Sequence, residues 1–143
     1  MADNFIPKVT RTYWIRWTAG ETYYTRFFKR GYGHLSLLIK EGDHWVSFDP
    51  RGKLFEWNIL PFKGSDDLPW AYSCQGNTTQ IIGITITYDE ESLAGLSIFR
   101  PMAFFAPCVS FVKYCLGIRR WWIWTPYQLY KCLIKHNQVL RVE

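Results

Sequence analysis

The segment from Ala103 to Ile118, AFFAPCVSFVKYCLGI, constrains the fold more than any other, because a proline, an apolar periodicity and a glycine bracket one helix. Proline has no N–H to leave unpaired in a first turn and its φ is already helical. The spacing therefore predicts a helix that starts at Pro107 and stops at Gly117. Val109, Val112 and Leu116 form one apolar line, and Cys108, Val112 and Cys115 share another part of the inward face. Cys108 falls in the first turn, where unpaired backbone N–H groups and the positive end of the helix dipole favour a thiolate. A nucleophile presented to a sheet has this form. A structural core cysteine has it too, since free cysteine is among the most buried residue types. What separates the two is a base facing the thiol.

A base is offered upstream, in GYGHLSLLIKEGDHWVSFDPRG from Gly31 to Gly52. His34 opens a strand-like run, Leu35 to Ile39, and Gly42-Asp43 is a turn signal before a second run, Trp45 to Phe48. With Gly42 and Asp43 as the loop, Glu41 faces His44, Leu38 faces Ser47 and Ser36 faces Asp49. His34 and Asp49 are then diagonal neighbours on one sheet face, near enough for a carboxylate to orient an imidazole. A slip of one residue sends Asp49 to the opposite face.

His34 on a strand after glycine, a polar residue on the next strand and Cys108 much later at a helix N-terminus together resemble the circularly permuted NlpC/P60 group of papain-like cysteine hydrolases, of phage or bacterial type. The string Thr125-Pro126-Tyr127-Gln128-Leu129-Tyr130 resembles the segment that follows the nucleophile helix in phage-type members. The resemblance spans about Gly31 to Leu133. It implies an α+β fold in which an antiparallel sheet carrying the histidine packs against a C-terminal nucleophile helix. It also implies Cys108 as nucleophile, His34 as base and Asp49 as the polar third member. Pro107 and Val109 flank the thiol where the acyltransferase branch of the group carries Asn-Cys-Glu-His, which argues against acyl transfer to retinoids.

At 143 residues the chain suits one domain, 1–143, with a real hydrophobic core. Four cysteines without a CxxC pair suit reduced thiols in an intracellular setting. The beginning, MADNFIPKV, has no basic region followed by an apolar core, so no signal peptide is expected. The apolar run from Pro101 to Val112 is too short to span a bilayer. His34, His44 and His136 form no zinc-ligand spacing, and Gly31-Tyr32-Gly33 lacks the remainder of a phosphate loop, so neither a metal nor a cofactor is expected.

Further strands are predicted over Val9–Trp17 and Glu21–Phe28 as a hairpin, over Leu54–Leu60, over Trp70–Gln75 and over Gln80–Tyr88, with a loop from Pro61 to Pro69. Cys74 then lies on a strand. Ser92–Phe99 reads as a short helix behind Asp89, Glu90 and Glu91. Pro126–His136 reads as a helix capped by Thr125, and Val139–Val142 as an edge strand.

Arg119-Arg120-Trp121-Trp122-Ile123-Trp124 admits three readings. The tryptophans cover a sheet edge while the arginines face water; or Arg119, Arg120, Trp122 and Trp124 line a substrate groove; or they lie on an anionic surface, which the net charge of +5 permits. The combined expectation is a cysteine hydrolase acting on an amide bond of a peptide or peptidoglycan-like substrate, cytoplasmic or virion-associated. The alternative is a nonenzymatic binding or assembly protein that keeps the fold and uses its basic aromatic surface.

Overall fold

The computed structural model describes residues 8–20, 27–51, 54–89, 107–136 and 140–141. Six strands, β1 (Lys8–Thr18), β2 (His34–Glu41), β3 (His44–Arg51), β4 (Leu54–Lys63), β5 (Thr78–Asp89) and β6 (Leu140–Arg141), form one sheet in the order β4-β3-β2-β1-β5-β6. Every neighbouring pair is antiparallel. Among the described residues three helices complete the α+β arrangement: α1 (Leu68–Ser73), α2 (Pro107–Cys115) and α3 (Pro126–His136).

The period-two pattern of the central strands decides what lies on each face. Tyr13, Ile15 and Trp17 of β1 stand beside Ile39, Leu37 and Leu35 of β2, and Ile15 and Tyr13 also pair with Ile82 and Ile84 of β5. These side chains form the main core with Val109, Val112 and Leu116 around α2 and with Leu129 and Leu133 of α3. The alternate residues face the other way, where Leu38 and Trp45 are closed over by Leu68 of α1. Helices therefore cover both faces. On the same side as α1, Thr10 and Thr12 pair their hydroxyls with Thr87 and Thr85, each at 2.8 Å.

The β2–β3 hairpin has the register expected from the sequence, Glu41 opposite His44 and Leu38 opposite Ser47. Gly42 supplies the positive φ, +58°, at the first central position, where only glycine turns the chain without strain. Helix α2 ends as its glycine predicts: Gly117 has φ +66°, its N–H donates to Tyr114 O, and Ile118 N–H donates to Lys113 O. This paired closure satisfies carbonyls that the last helical turn would otherwise leave open. Helix α3 opens with a reciprocal cap. Gln128 N–H donates to Thr125 Oγ1 at 3.2 Å, while Gln128 Oε1 accepts from Thr125 N at 3.1 Å.

Three expectations are corrected. Trp70–Gln75 is not a strand: α1 begins at Leu68 because Asp67 Oδ1 accepts from Trp70 N–H and a proline sits in the first turn. Cys74 therefore caps the C-terminus of α1 and is exposed. The loop expected from Pro61 is instead the end of β4, which runs to Lys63. The register shifts there, so that Trp45 pairs with Leu60 and His44 with Lys63, and Pro61 falls in the bulge. The hairpin expected between Val9–Trp17 and Glu21–Phe28 meets a β1 whose last six residues already pair with β2 on one side and with β5 on the other. Residues 21–26 and the helix expected over Ser92–Phe99 lie outside the described residues.

Candidate active site

His34 is the first residue of β2, and the turn before it is fixed by hydrogen bonds. Tyr32 N–H donates to Lys29 O, Gly33 N–H to Thr18 O, and Thr79 Oγ1 to Gly31 O, where Gly31 adopts φ +84°. With the hairpin in register, His34 Nε2 lies 2.5 Å from Asp49 Oδ1, the diagonal contact that the register predicts. The two side chains are 20% and 18% exposed, so the pair is sheltered but reached by solvent. Strict alternation sets His34 on the side of Leu38, away from α2. The ring is nevertheless near enough to the Cys108 thiol for the two to interact electrostatically.

Cys108, the second residue of α2, is buried among the main core residues, with 5% of its surface accessible. Nε2 of His34 is taken by Asp49, which leaves Nδ1 as the ring nitrogen for the thiol. A neutral imidazole held this way donates from Nε2 and keeps a lone pair on Nδ1, the arrangement a general base requires.

Burial acts most strongly on His34 and lowers its pKa. It is outweighed by the hydrogen bond to Asp49, then by the hydrogen bond and field of Cys108 and the charge of Asp49, and the ring is raised to about 9. At neutral pH His34 is therefore an imidazolium between a carboxylate and a sulfur. Cys115 lies further along the same helix. Burial pushes its thiol up to about 12, against smaller opposing effects from Arg11 and a backbone hydrogen bond, so it stays protonated and unreactive.

An aromatic cluster beside the start of β2 escaped the sequence reading. The Tyr32 ring lies 5.0 Å from Tyr127 and 5.1 Å from Tyr130, and Lys29 Nζ sits 3.7 Å from the Tyr127 ring centre. Burial, followed by the neighbouring phenols, raises Tyr32 to about 12, whereas Lys29 lowers Tyr127. The only sequence signal was the spacing of Tyr127 and Tyr130 on one helix face.

The structure thus brings His34 and Asp49 into contact, with Cys108 near enough to act on the ring's proton affinity. The partners of the expected substrate-binding residues are different. Arg120 donates to Cys132 Sγ, Trp124 N–H donates to Gln128, and the Trp121 ring packs against Trp122 and Trp124. Among the described residues no group of three or more His, Cys, Asp or Glu side chains is placed to hold a metal ion. None of their helices is long and apolar enough to cross a membrane. Compared with protein-family models, with curated proteins and with solved structures, the chain gives no match.

Proposed function

We propose that the protein is a cysteine hydrolase of amide bonds, with a domain of the permuted papain-like NlpC/P60 type. The observation that carries this reading is the His34 ring held between the Asp49 carboxylate and the Cys108 thiol. The Cys108 thiolate attacks the carbonyl carbon, and the C–N bond breaks as the His34 imidazolium gives its proton to the leaving amine. The neutral imidazole then takes a proton from water, whose oxygen attacks the thioester, releasing the acid and restoring thiolate and imidazolium. Asp49 holds the tautomer and the charge through both halves. The Cys108 backbone N–H, in the first turn of α2 and so without a partner inside the helix, supplies a donor for the oxyanion in this scheme. An amide suits this pair because its amine must leave protonated, and His34 is a proton donor at neutral pH. The substrate class is a peptide or a peptidoglycan-like cross-bridge. Four free cysteines suit a reducing compartment, and the location proposed with this reading is the cytoplasm or a virion.

The alternative, a nonenzymatic binding or assembly protein, is favoured by the shallow exposure of Cys108 and by the exposed Trp121, Trp122 and Trp124. Purified protein incubated with peptide, peptidoglycan, ester and thioester substrates decides between them. The enzyme releases product, and Cys108→Ala abolishes release. Product release that persists in Cys108→Ala, or no release together with an unchanged biological activity in Cys108→Ala, refutes the hydrolase.

A further inference from the structure

The segment between α2 and α3 presents three exposed indoles, Trp121, Trp122 and Trp124, at 66%, 54% and 43% accessibility. They form one surface. The Trp121 ring lies 6.1 Å from Trp122, edge to face, and 6.5 Å from Trp124.

Several polar groups of the segment are paired within the protein. Trp124 Nε1 donates to Trp121 O, Ile123 N–H to Arg120 O, and Trp124 N–H and Thr125 N–H both to Gln128 Oε1. The buried Lys113 donates Nζ to Ile123 O, and Ile123 itself anchors the segment in the core. Each N–H already paired lowers the cost of moving the segment from water towards a low-dielectric layer, and an indole N–H left at the headgroup level can bond there. The flanking sequence is basic. From Pro107 to Arg141 the sequence has no Asp or Glu but carries Lys113, Arg119, Arg120, Lys131, Lys135 and Arg141. Tryptophan at the tip with arginine behind it is the composition that membrane–water interfaces select.

From these contacts we infer that the Trp121–Trp124 segment docks on an anionic lipid surface, with the indoles in the headgroup layer and Arg119 and Arg120 facing acidic headgroups. A single-stranded nucleic acid would also meet aromatics and cations, but stacking on bases requires free ring faces in a row. Here Trp122 stands edge-on to Trp121 and Trp124 is tilted to it, so the three rings present no parallel row of faces. This contact is independent of the hydrolase reading, because it uses none of the Cys108, His34 or Asp49 side chains.

The test uses the full chain with vesicles of phosphatidylcholine, with and without phosphatidylserine, in a Trp57→Phe/Trp70→Phe background that leaves the segment as the source of exposed indoles. Co-sedimentation with the serine-containing vesicles, a blue shift of tryptophan emission and quenching by lipids brominated high on the acyl chain are expected. Arg119→Gln/Arg120→Gln should weaken partitioning on the order of twenty-fold, at roughly five-fold per arginine, and added salt should do the same. Trp121→Ala/Trp122→Ala should abolish quenching, with an unchanged far-ultraviolet spectrum showing that the fold persists. Absence of partitioning, or partitioning without bromolipid quenching in the parent protein, overturns the inference. So does tight binding of a single-stranded oligonucleotide through the same tryptophans without vesicle binding. The parent measurement stands even if the alanine variant fails to fold.

Discussion

Asp49→Asn should lower the pKa of His34 by about two units. The carboxylate lies 2.5 Å from Nε2 in a pair whose side chains are 20% and 18% exposed, so its field is only partly screened. At an effective dielectric constant of about 20, opposite unit charges about 4 Å apart interact by about 4 kcal/mol, equivalent to roughly three pH units. Asparagine offers Nε2–H only a neutral acceptor, so it weakens the hydrogen bond to the carboxylate, the largest of the effects that raise the ring, as well as removing the charge, and a loss of about two units is expected. The ring starts from about 9, so the variant should titrate near neutrality, with burial no longer opposed by a full carboxylate charge. Proton–carbon correlation spectra of the imidazole Cε1–H groups, recorded from acid to alkaline pH and assigned with His34→Gln, read this directly. A His34 midpoint that stays put in Asp49→Asn would refute the electrostatic account. So would a parent midpoint at or below the ordinary 6.5.

The raised pKa of His34 also sets the pH dependence of stability. The folded ring binds its proton more tightly than the unfolded one, so the contribution is complete below pH 6.5 and disappears as pH rises through about 9. It amounts to at most about 3 kcal/mol. Urea midpoints should fall across that window in the parent and fall less in His34→Gln; parallel profiles would show that the ring is not coupled to folding. Thr125→Ala removes the hydroxyl that accepts from Gln128 N–H and should cost about 1 kcal/mol in urea unfolding. Gly117→Ala forces a Cβ into φ +66° and should cost a similar amount, although nothing lies within 4 Å to clash with it. An unchanged midpoint in either variant would discount the corresponding helix end.

What the sequence made legible was local. Gly42-Asp43 names its own turn, and a two-residue loop leaves one register, so the His34–Asp49 diagonal could be written down before any coordinates. Pro107, Gly117, Thr125 and Pro126 mark helix ends through chemistry confined to one turn. Long-range choices were not legible. Nothing local in Val9–Trp17 says that this strand sits in the middle of the sheet with partners drawn from residues 34–39 and 78–89. Trp70–Gln75 alternates like a strand, and only the cap at Asp67 and the burial of Leu68 under Trp45 turn it into a helix. The meeting of His34 with Cys108 depends on how α2 docks at the sheet end, which follows from the fit of Val109 and Val112 into the core and not from the spacing of the two residues.

The account rests on a functional Cys108–His34 pair, and alkylation read thiol by thiol tests it most directly. Iodoacetamide at neutral pH, quenched over time and mapped by peptide mass spectrometry, compares two core-packed thiols in one experiment, with exposed Cys74 as the reference for access. Cys108 should react at least roughly ten times faster than Cys115, whose thiol is pushed up to about 12, and His34→Gln should remove most of that advantage. Equal, slow labelling of Cys108 and Cys115 that does not change in His34→Gln would make Cys108 an ordinary core cysteine and contradict the proposed nucleophile.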